Sequence, residues 1–250
     1  MSKEKDSSEK VEAFIESLPD WSPQKIVDYC LENNIPSVAF TYNEPAIFFE
    51  YAFDTAKLAK ENGLNTVYVS NGFESKEAIE KIAKYLDAIN VDLKSFNPKF
   101  YKEICIAKID PVLENIKRFY EKEIWLEVTT LFIPGENDSE KEMRQIAEFI
   151  KGISGEIPWH VSAFTPCYKM LDKPKTPPKT LVKAYEIGKE VGLKHVYVGN
   201  VFDEKHSTTY CSSCGEVLIR RSWHEILENK VVDGKCPKCN SKIRGIWRNQ

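Results

Sequence analysis

Ser37-Val38-Ala39-Phe40-Thr41-Tyr42-Asn43-Glu44-Pro45 changes character at its end, where Ala46-Ile47-Phe48-Phe49-Glu50-Tyr51-Ala52 takes over. The first part is a short apolar run with β-formers, and the second follows a helical period. Glu44 therefore stands where a strand ends and a helix begins, with Pro45 stiffening the backbone beside it. Outward from this junction the same alternation recurs. Strands are predicted at 37–42, 66–70, 88–93, 125–133, 159–164 and 195–199. Helices are predicted at 46–62, 75–85, 110–121, 138–151 and 180–191, several ending on a glycine such as Gly63 or Gly192. A further helix runs from a Ser22 cap and Pro23 to Asn33. Most strands read as near-continuous apolar runs, as parallel strands do when both faces are covered. Repeated βα units of this length predict a full or partial β/α barrel.

In such a barrel the chemistry lies at the C-terminal strand ends. There the sequence places Thr41 to Pro45, then Ser70-Asn71-Gly72, then Asp92-Leu93-Lys94. The fourth strand carries Glu127 and Thr129, then Pro134-Gly135-Glu136-Asn137-Asp138; the fifth carries His160 and Ser162, and the sixth ends in Gly199-Asn200. Each has an ordinary structural role as well. Asn71-Gly72 is a common turn pair. Asp138 and Ser139 can cap the following helix, with Glu142 closing a capping box. Asp92 and Lys94 can pair across a strand end, and His160 can be a hydrogen-bonded core residue. Their gathering on successive strand ends is what points to a site, and Glu44, Lys94 and His160 are expected in one cavity.

The 250 residues suffice for one sizeable core plus an appendage. A chain 42% hydrophobic and 29% charged, with no apolar run near the roughly 20 residues of a membrane helix, reads as globular. The polar start MSKEKDSSEK lacks the apolar stretch of a secretory signal, so a cytoplasmic location is expected. A net charge of −3 argues against nucleic-acid binding by the whole protein, but the charge is uneven. Residues 206–250 carry eight Lys/Arg and four Asp/Glu, leaving the first 205 residues at −7. The division expected is a mobile N-terminal segment at 1–20, a barrel at 21–205 and an appended unit at 206–250.

Four of the seven cysteines define that last unit. Cys211-Ser212-Ser213-Cys214 and Cys236-Pro237-Lys238-Cys239 are two C-x-x-C knuckles with twenty-one residues between them. Four thiolates so spaced make a closed tetrahedral zinc site, a structural one because no position is left open. About 45 residues cannot build an adequate core alone, so the metal would supply folding energy. Iron would satisfy the same ligands, whereas two disulfides suit a secreted chain. Val217 to His224 reads as hairpin strand.

TYNEP, SNG, VDLK, TTLFIPGENDS, PWHVSAFTPCYKM, VYVGN and a four-Cys ribbon, in that order, resemble the radical S-adenosylmethionine enzymes related to the activases of pyruvate formate-lyase. More closely, the order resembles that of the radical enzyme of the AmmeMemoRadiSam system, over about Trp21 to Trp247. The resemblance implies reductive cleavage of S-adenosylmethionine to a 5′-deoxyadenosyl radical, which takes hydrogen from a substrate. It implies that Asn43, Glu44 and Pro45 meet the amino group of the methionine moiety, with Thr41-Tyr42 where many relatives have Gly-Gly. Lys94 then matches a lysine at the cofactor's carboxylate or ribose, and His160 a histidine near it. Ser70 and Asp92 match positions around a monovalent cation, and Asn71 and Gly72 complete the cofactor-binding set. An aspartate of the activases at that cation site is Val69 here. The family's [4Fe–4S] ligands, C-x-x-x-C-x-x-C, do not occur in the sequence; Cys30, Cys105 and Cys167 are scattered. The expectation is a truncated chain, its barrel lacking a first strand and its cluster ligands upstream of Met1. A protein or peptide substrate is expected, with Memo-type and Amme-domain partners. Two other classes fit the residues: a non-catalytic module whose basic ribbon recruits RNA or protein, and a barrel enzyme using Lys94, Glu127 and His160 with a metal or Schiff base.

Overall fold

A computed structural model describes residues 21–223 and 225–247. The segment 1–20 that the sequence sets apart lies outside the described residues. Helix α1, Pro23–Glu32, opens with Ser22 Oγ accepting from the Lys25 amide at 3.3 Å and proline in its first turn. Six strands follow: β1 Ser37–Phe40, β2 Asn65–Ser70, β3 Ala88–Asp92, β4 Trp125–Phe132, β5 Trp159–Ala163 and β6 Val196–Gly199. They pair in sequence order, every neighbour parallel. Each step crosses over through a helix: α2 Phe49–Glu61, α3 Lys76–Ile82, α4 Asp110–Glu121, α5 Glu140–Ile153 and α6 Pro178–Val191. This is the α/β architecture predicted, with strand boundaries within two residues of expectation.

The strands are less uniformly apolar than their runs suggest. Alternate residues, such as Ile89 and Val91, Leu126 and Val128, and Trp159 and Val161, are buried in the main core. The intervening ones, among them Asn90, Asp92, Glu127, Thr129, His160 and Tyr197, are half-buried on the other face. That second face is polar because it lines a lumen. Residues from all six strands border a single cavity, so the sheet curls around it. Fully buried Trp159 donates its Nε1 to Thr130 Oγ1 at 3.1 Å, so its large apolar body is packed without stranding its one donor.

Beyond β6, a turn at Glu204–Ser207 leads to a second, antiparallel sheet: β7 Thr209–Tyr210, β8 Val217–Ser222 and β9 Glu225–Asn229. Its separate small core comprises Cys211, Leu218, Ile219, Val231, Cys236 and Ile243, with Trp247 packed against it. The sheet is tied to the barrel at several points. Tyr197 Oη and Thr209 Oγ1 are 3.0 Å apart, the Arg221 guanidinium carbon lies 5.6 Å from the Tyr197 ring on β6, and the Arg244 guanidinium lies 5.9 Å from the Tyr120 ring on α4. No helix among the described residues is long and apolar enough to cross a membrane.

Candidate functional site

The junction at Glu44 is built by the backbone. Tyr42 takes a left-handed φ of 67°, turning the chain as it leaves β1, and Glu44 then caps the single 3-10 turn Pro45–Phe48. The Glu44 carboxylate reaches across to the end of β2. Its Oε1 accepts from Ser70 Oγ at 2.7 Å and its Oε2 accepts from the Asn71 amide at 2.7 Å. Ser70 Oγ also accepts from the Gly72 amide at 3.0 Å, and Asn71 Oδ1 accepts from the Phe73 amide at 2.8 Å. Gly72 is required twice over. Its φ is +73°, and a Cβ there would stand 2.7 Å from Val91 Cγ1. Asn115 on α4 clamps the same loop from behind, its Nδ2 donating to the carbonyls of Gly72 at 2.9 Å and Glu74 at 2.8 Å.

Behind this rim lie two buried polar groups with no hydrogen-bond partner among the described residues, the Tyr68 hydroxyl and both oxygens of Glu74. Burial, reinforced by the negative charge of Glu44, pushes the Glu74 carboxyl up to about 7. Burial likewise pushes the Tyr68 hydroxyl up. The end of β2 is thus a place of acceptors and negative potential. Each carboxylate oxygen of Glu44 can accept more than one hydrogen bond. Oε2, with one protein donor, is therefore suited to an additional cationic donor such as an ammonium.

At the next strand end Lys94 Nζ pairs with Asp92 Oδ2 at 2.6 Å, the ion pair across a strand end that the sequence allowed. Asn137 holds this segment to β4, its Nδ2 donating to the carbonyls of Lys94 at 2.7 Å and Leu131 at 2.9 Å. The expected capping box is corrected here. Ser139 Oγ does accept from the Glu142 amide at 3.3 Å, but the Glu142 carboxylate does not fold back to its own helix start. It is buried against the loop after β3, accepting from Ser95 Oγ and, at 2.9 Å, from the Phe96 amide. Two orphan donors of a tertiary loop are thereby satisfied instead.

His160 belongs elsewhere in the lumen. Its Nε2 donates to Glu127 Oε2 at 2.5 Å, and Glu127 Oε1 accepts from Trp125 Nε1 at 2.8 Å. The Tyr197 ring stacks on the imidazole with centroids 5.3 Å apart. Burial would push the Glu127 carboxyl up, but the hydrogen bond from His160, together with the imidazole's charge when it is protonated, outweighs it and holds the group below the usual range. The single cavity expected for Glu44, Lys94 and His160 is therefore not what the structure shows. Glu127 and His160 line a cavity of about 620 Å³ that is bounded by the strands and the C-terminal sheet, and neither Glu44 nor Lys94 lines it.

The four ribbon cysteines converge as predicted. Their sulfurs all lie within 4.8 Å of one another, with Cys211 and Cys239 at 3.6 Å and Cys214 and Cys236 at 3.7 Å. These spacings exceed a disulfide's roughly 2.05 Å. They match the edge of about 3.8 Å expected of a tetrahedron with metal–sulfur bonds near 2.3 Å. Among the described residues this is the one group of three or more His, Cys, Asp or Glu side chains able to hold a metal ion. Cys30 is buried, Cys105 half-buried and Cys167 exposed on separate elements, so they offer no three-thiolate site.

A parallel α/β sheet curled around a lumen, with a carboxylate planted at its first strand end, defines the class. The chain belongs to the Radical SAM superfamily, which it matches over residues 14–150. It is 38% identical over 227 residues to an uncharacterized protein of Methanocaldococcus jannaschii, covering 90% of this chain and 67% of that one. It is 24% identical over 102 residues to the choline trimethylamine-lyase activating enzyme of Oleidesulfovibrio alaskensis, spanning 41% of this chain and 33% of that enzyme. In fold it is similar to a domain of a pyruvate-formate lyase-activating enzyme from Bacteroides vulgatus, with a TM-score of 0.55 at 20% identity, covering 66% of this chain and 99% of that one. Superfamily membership makes this an enzyme family and implies S-adenosylmethionine and an iron–sulfur cluster as cofactors. The rim around Glu44 fits the first. The described residues hold nothing that fits a three-thiolate cluster.

Glu74, Asn115 and Arg221 are absent from the sequence-derived site, whereas Asn137 stands in the strand-end run Pro134 to Asp138. Glu74 and Asn115 sit among ordinary loop and helix residues with no motif. Asn137 carries only the turn signal of its Pro-Gly-Glu-Asn context.

Proposed function

We propose that this chain is the cofactor- and substrate-binding body of a radical S-adenosylmethionine enzyme of the activating-enzyme kind, resembling the radical component of the AmmeMemoRadiSam system. The observation that carries this reading is the Glu44 carboxylate, fixed by Ser70 Oγ and the Asn71 amide at the β1 and β2 strand ends. There Glu44 would accept the ammonium of the methionine moiety, with Asn43 and Pro45 setting its backbone and Gly72 letting the β2 loop approach closely. Asp92 and Lys94, on the neighbouring strand end, would meet the carboxylate or ribose. Reduced by one electron, bound S-adenosylmethionine supplies a carbon-centred radical able to take hydrogen from a substrate. The sequence has no three-thiolate motif, so the cluster thiolates are proposed to come from outside these residues. Kinship with activating enzymes favours a protein or peptide substrate, with Memo-type and Amme-domain proteins as partners. The ribbon is read as a zinc site, which suits a reducing cytoplasm where such thiols stay free of disulfides.

Calorimetric titration of the full chain with S-adenosylmethionine, alongside Glu44→Ala, tests the assignment. Losing a charge-assisted hydrogen bond costs about 1.5–3 kcal/mol, a ten- to hundredfold weaker affinity. Equal affinities for the two proteins would remove Glu44 from the cofactor site.

A further inference from the structure

The cavity between the sheet and the ribbon differs in kind from the rim. It has a volume of about 620 Å³, the size of a small-molecule site. Its aromatic walls include Trp125, Tyr197, Trp223 and Trp247, and its polar groups include His160 and Arg221. Three features show a prepared surface. First, a carboxylate only accepts, so the His160 Nε2 facing Glu127 carries the hydrogen. In the neutral imidazole Nδ1 is then an acceptor, and among the described residues it has no partner. Second, the Arg221 guanidinium spends only Nη1 on the protein, donating to the Ser207 carbonyl at 3.2 Å and to Thr209 Oγ1 at 2.8 Å. Its Nε and Nη2 have no acceptor among the described residues, while the ring of Tyr197 lies 5.6 Å from the guanidinium carbon. Third, Trp223 stands at the turn between β8 and β9 with a left-handed φ of 55°. Such a turn ordinarily takes Asn or Gly, and a bulky residue is strained there. The strain places the indole at the cavity, 4.9 Å from the ring of Phe202.

We infer that this cavity is a binding site for a small planar organic anion: a flat ring, an N–H or O–H donor for His160 Nδ1, and a carboxylate or comparable acceptor for Arg221. The aromatic walls take the ring, and Glu127 sets the imidazole tautomer and so the demand for a donor. The site is distinct from the rim where the cofactor is proposed to bind, and its occupancy needs no radical chemistry. A failed cofactor assignment at Glu44 would leave it standing.

Saturation-transfer NMR and equilibrium dialysis on the full chain test this with 4-aminobenzoate and 4-hydroxybenzoate as probes. Benzoate, which lacks the donor, and 4-aminobenzamide, which lacks the anion, are the comparisons. The two complete probes should bind saturably and at least tenfold tighter than either comparison. In Glu127→Gln the new amide can donate to Nε2 and move the imidazole hydrogen to Nδ1. The preference of 4-aminobenzoate over benzoate should then collapse to within twofold, while benzoate binding persists. If that variant fails to fold, Arg221→Lys decides, with at least a fivefold loss for both complete probes and no change for 4-aminobenzamide. The inference is overturned if no probe binds the wild-type chain saturably. It is equally overturned if a folded Glu127→Gln keeps the donor preference, or if, where that variant does not fold, Arg221→Lys binds all four compounds as the wild type does.

Discussion

Replacing Glu74 by glutamine should make the protein's stability less dependent on pH, in a direction the structure specifies. The Glu74 carboxyl is buried with both oxygens unpartnered among the described residues, and Glu44 stands near as a like charge. Burial first, and the Glu44 charge second, push it from an ordinary 4.5 up to about 7. A raised carboxyl binds its proton more tightly folded than unfolded. Between pH 4.5 and 7 the native state therefore holds more protons, and stability falls as pH rises. Below 4.5 both states are protonated and the group is neutral in its effect; above 7 the penalty is complete. That gap corresponds to about 3 kcal/mol, which the wild type loses across the window and Glu74→Gln does not. The assay is urea unfolding of both proteins at pH 4.5, 5.5, 6.5 and 8, followed by far-ultraviolet circular dichroism. Metal affinity at the ribbon also changes with pH, but it cancels in the difference between the two proteins. The stability of Glu74→Gln relative to wild type should climb by about 3 kcal/mol from the lowest to the highest pH. Parallel profiles would refute the reasoning and show that Glu74 ionises at its ordinary pH in the folded chain.

The ribbon should hold one zinc per chain, and metal analysis after desalting should find none in the double variant Cys211→Ser with Cys236→Ser. Asn115→Ala leaves the carbonyls of Gly72 and Glu74 without their donor, so unfolding should become easier by about 2–3 kcal/mol and S-adenosylmethionine binding at the rim should weaken alongside. Gly188 lies where α6 crosses the sheet, and a Cβ there would stand 2.9 Å from Val196 Cγ2 and 3.1 Å from Trp159 Cε3. Gly188→Ala should therefore lower stability by about 1–3 kcal/mol in urea titration, despite alanine's better helix propensity.

Several levels of this protein are written locally. The strand-and-helix alternation follows from apolar runs and caps, so α4 at Asp110–Glu121 coincides with its predicted bounds and the rest differ by a few residues at their ends. The convergence of four ribbon sulfurs is likewise local, because each C-x-x-C turn brings its own pair together and a hairpin joins the pairs. The position of Glu44 at a strand end was legible from the change of period around it. What that carboxylate touches was not. Ser70 is 26 residues away, and the two meet because β1 and β2 pair in parallel register and end side by side. The same holds for Glu142 with Ser95, which looked like a local cap and became a bridge between two crossovers. Glu127 and His160 are 33 residues apart on adjacent strands, and their pairing places them in a lumen that the ribbon's Arg221 completes. Burial is also a property of the assembled layers: Glu74 follows an ordinary turn in the sequence, and only the packing around the β2 loop takes its carboxyl out of water. Local periodicity and capping depend on neighbours within a few residues, whereas side-chain partners and desolvation depend on which distant segments the sheet register brings together, and only the tertiary structure contains that.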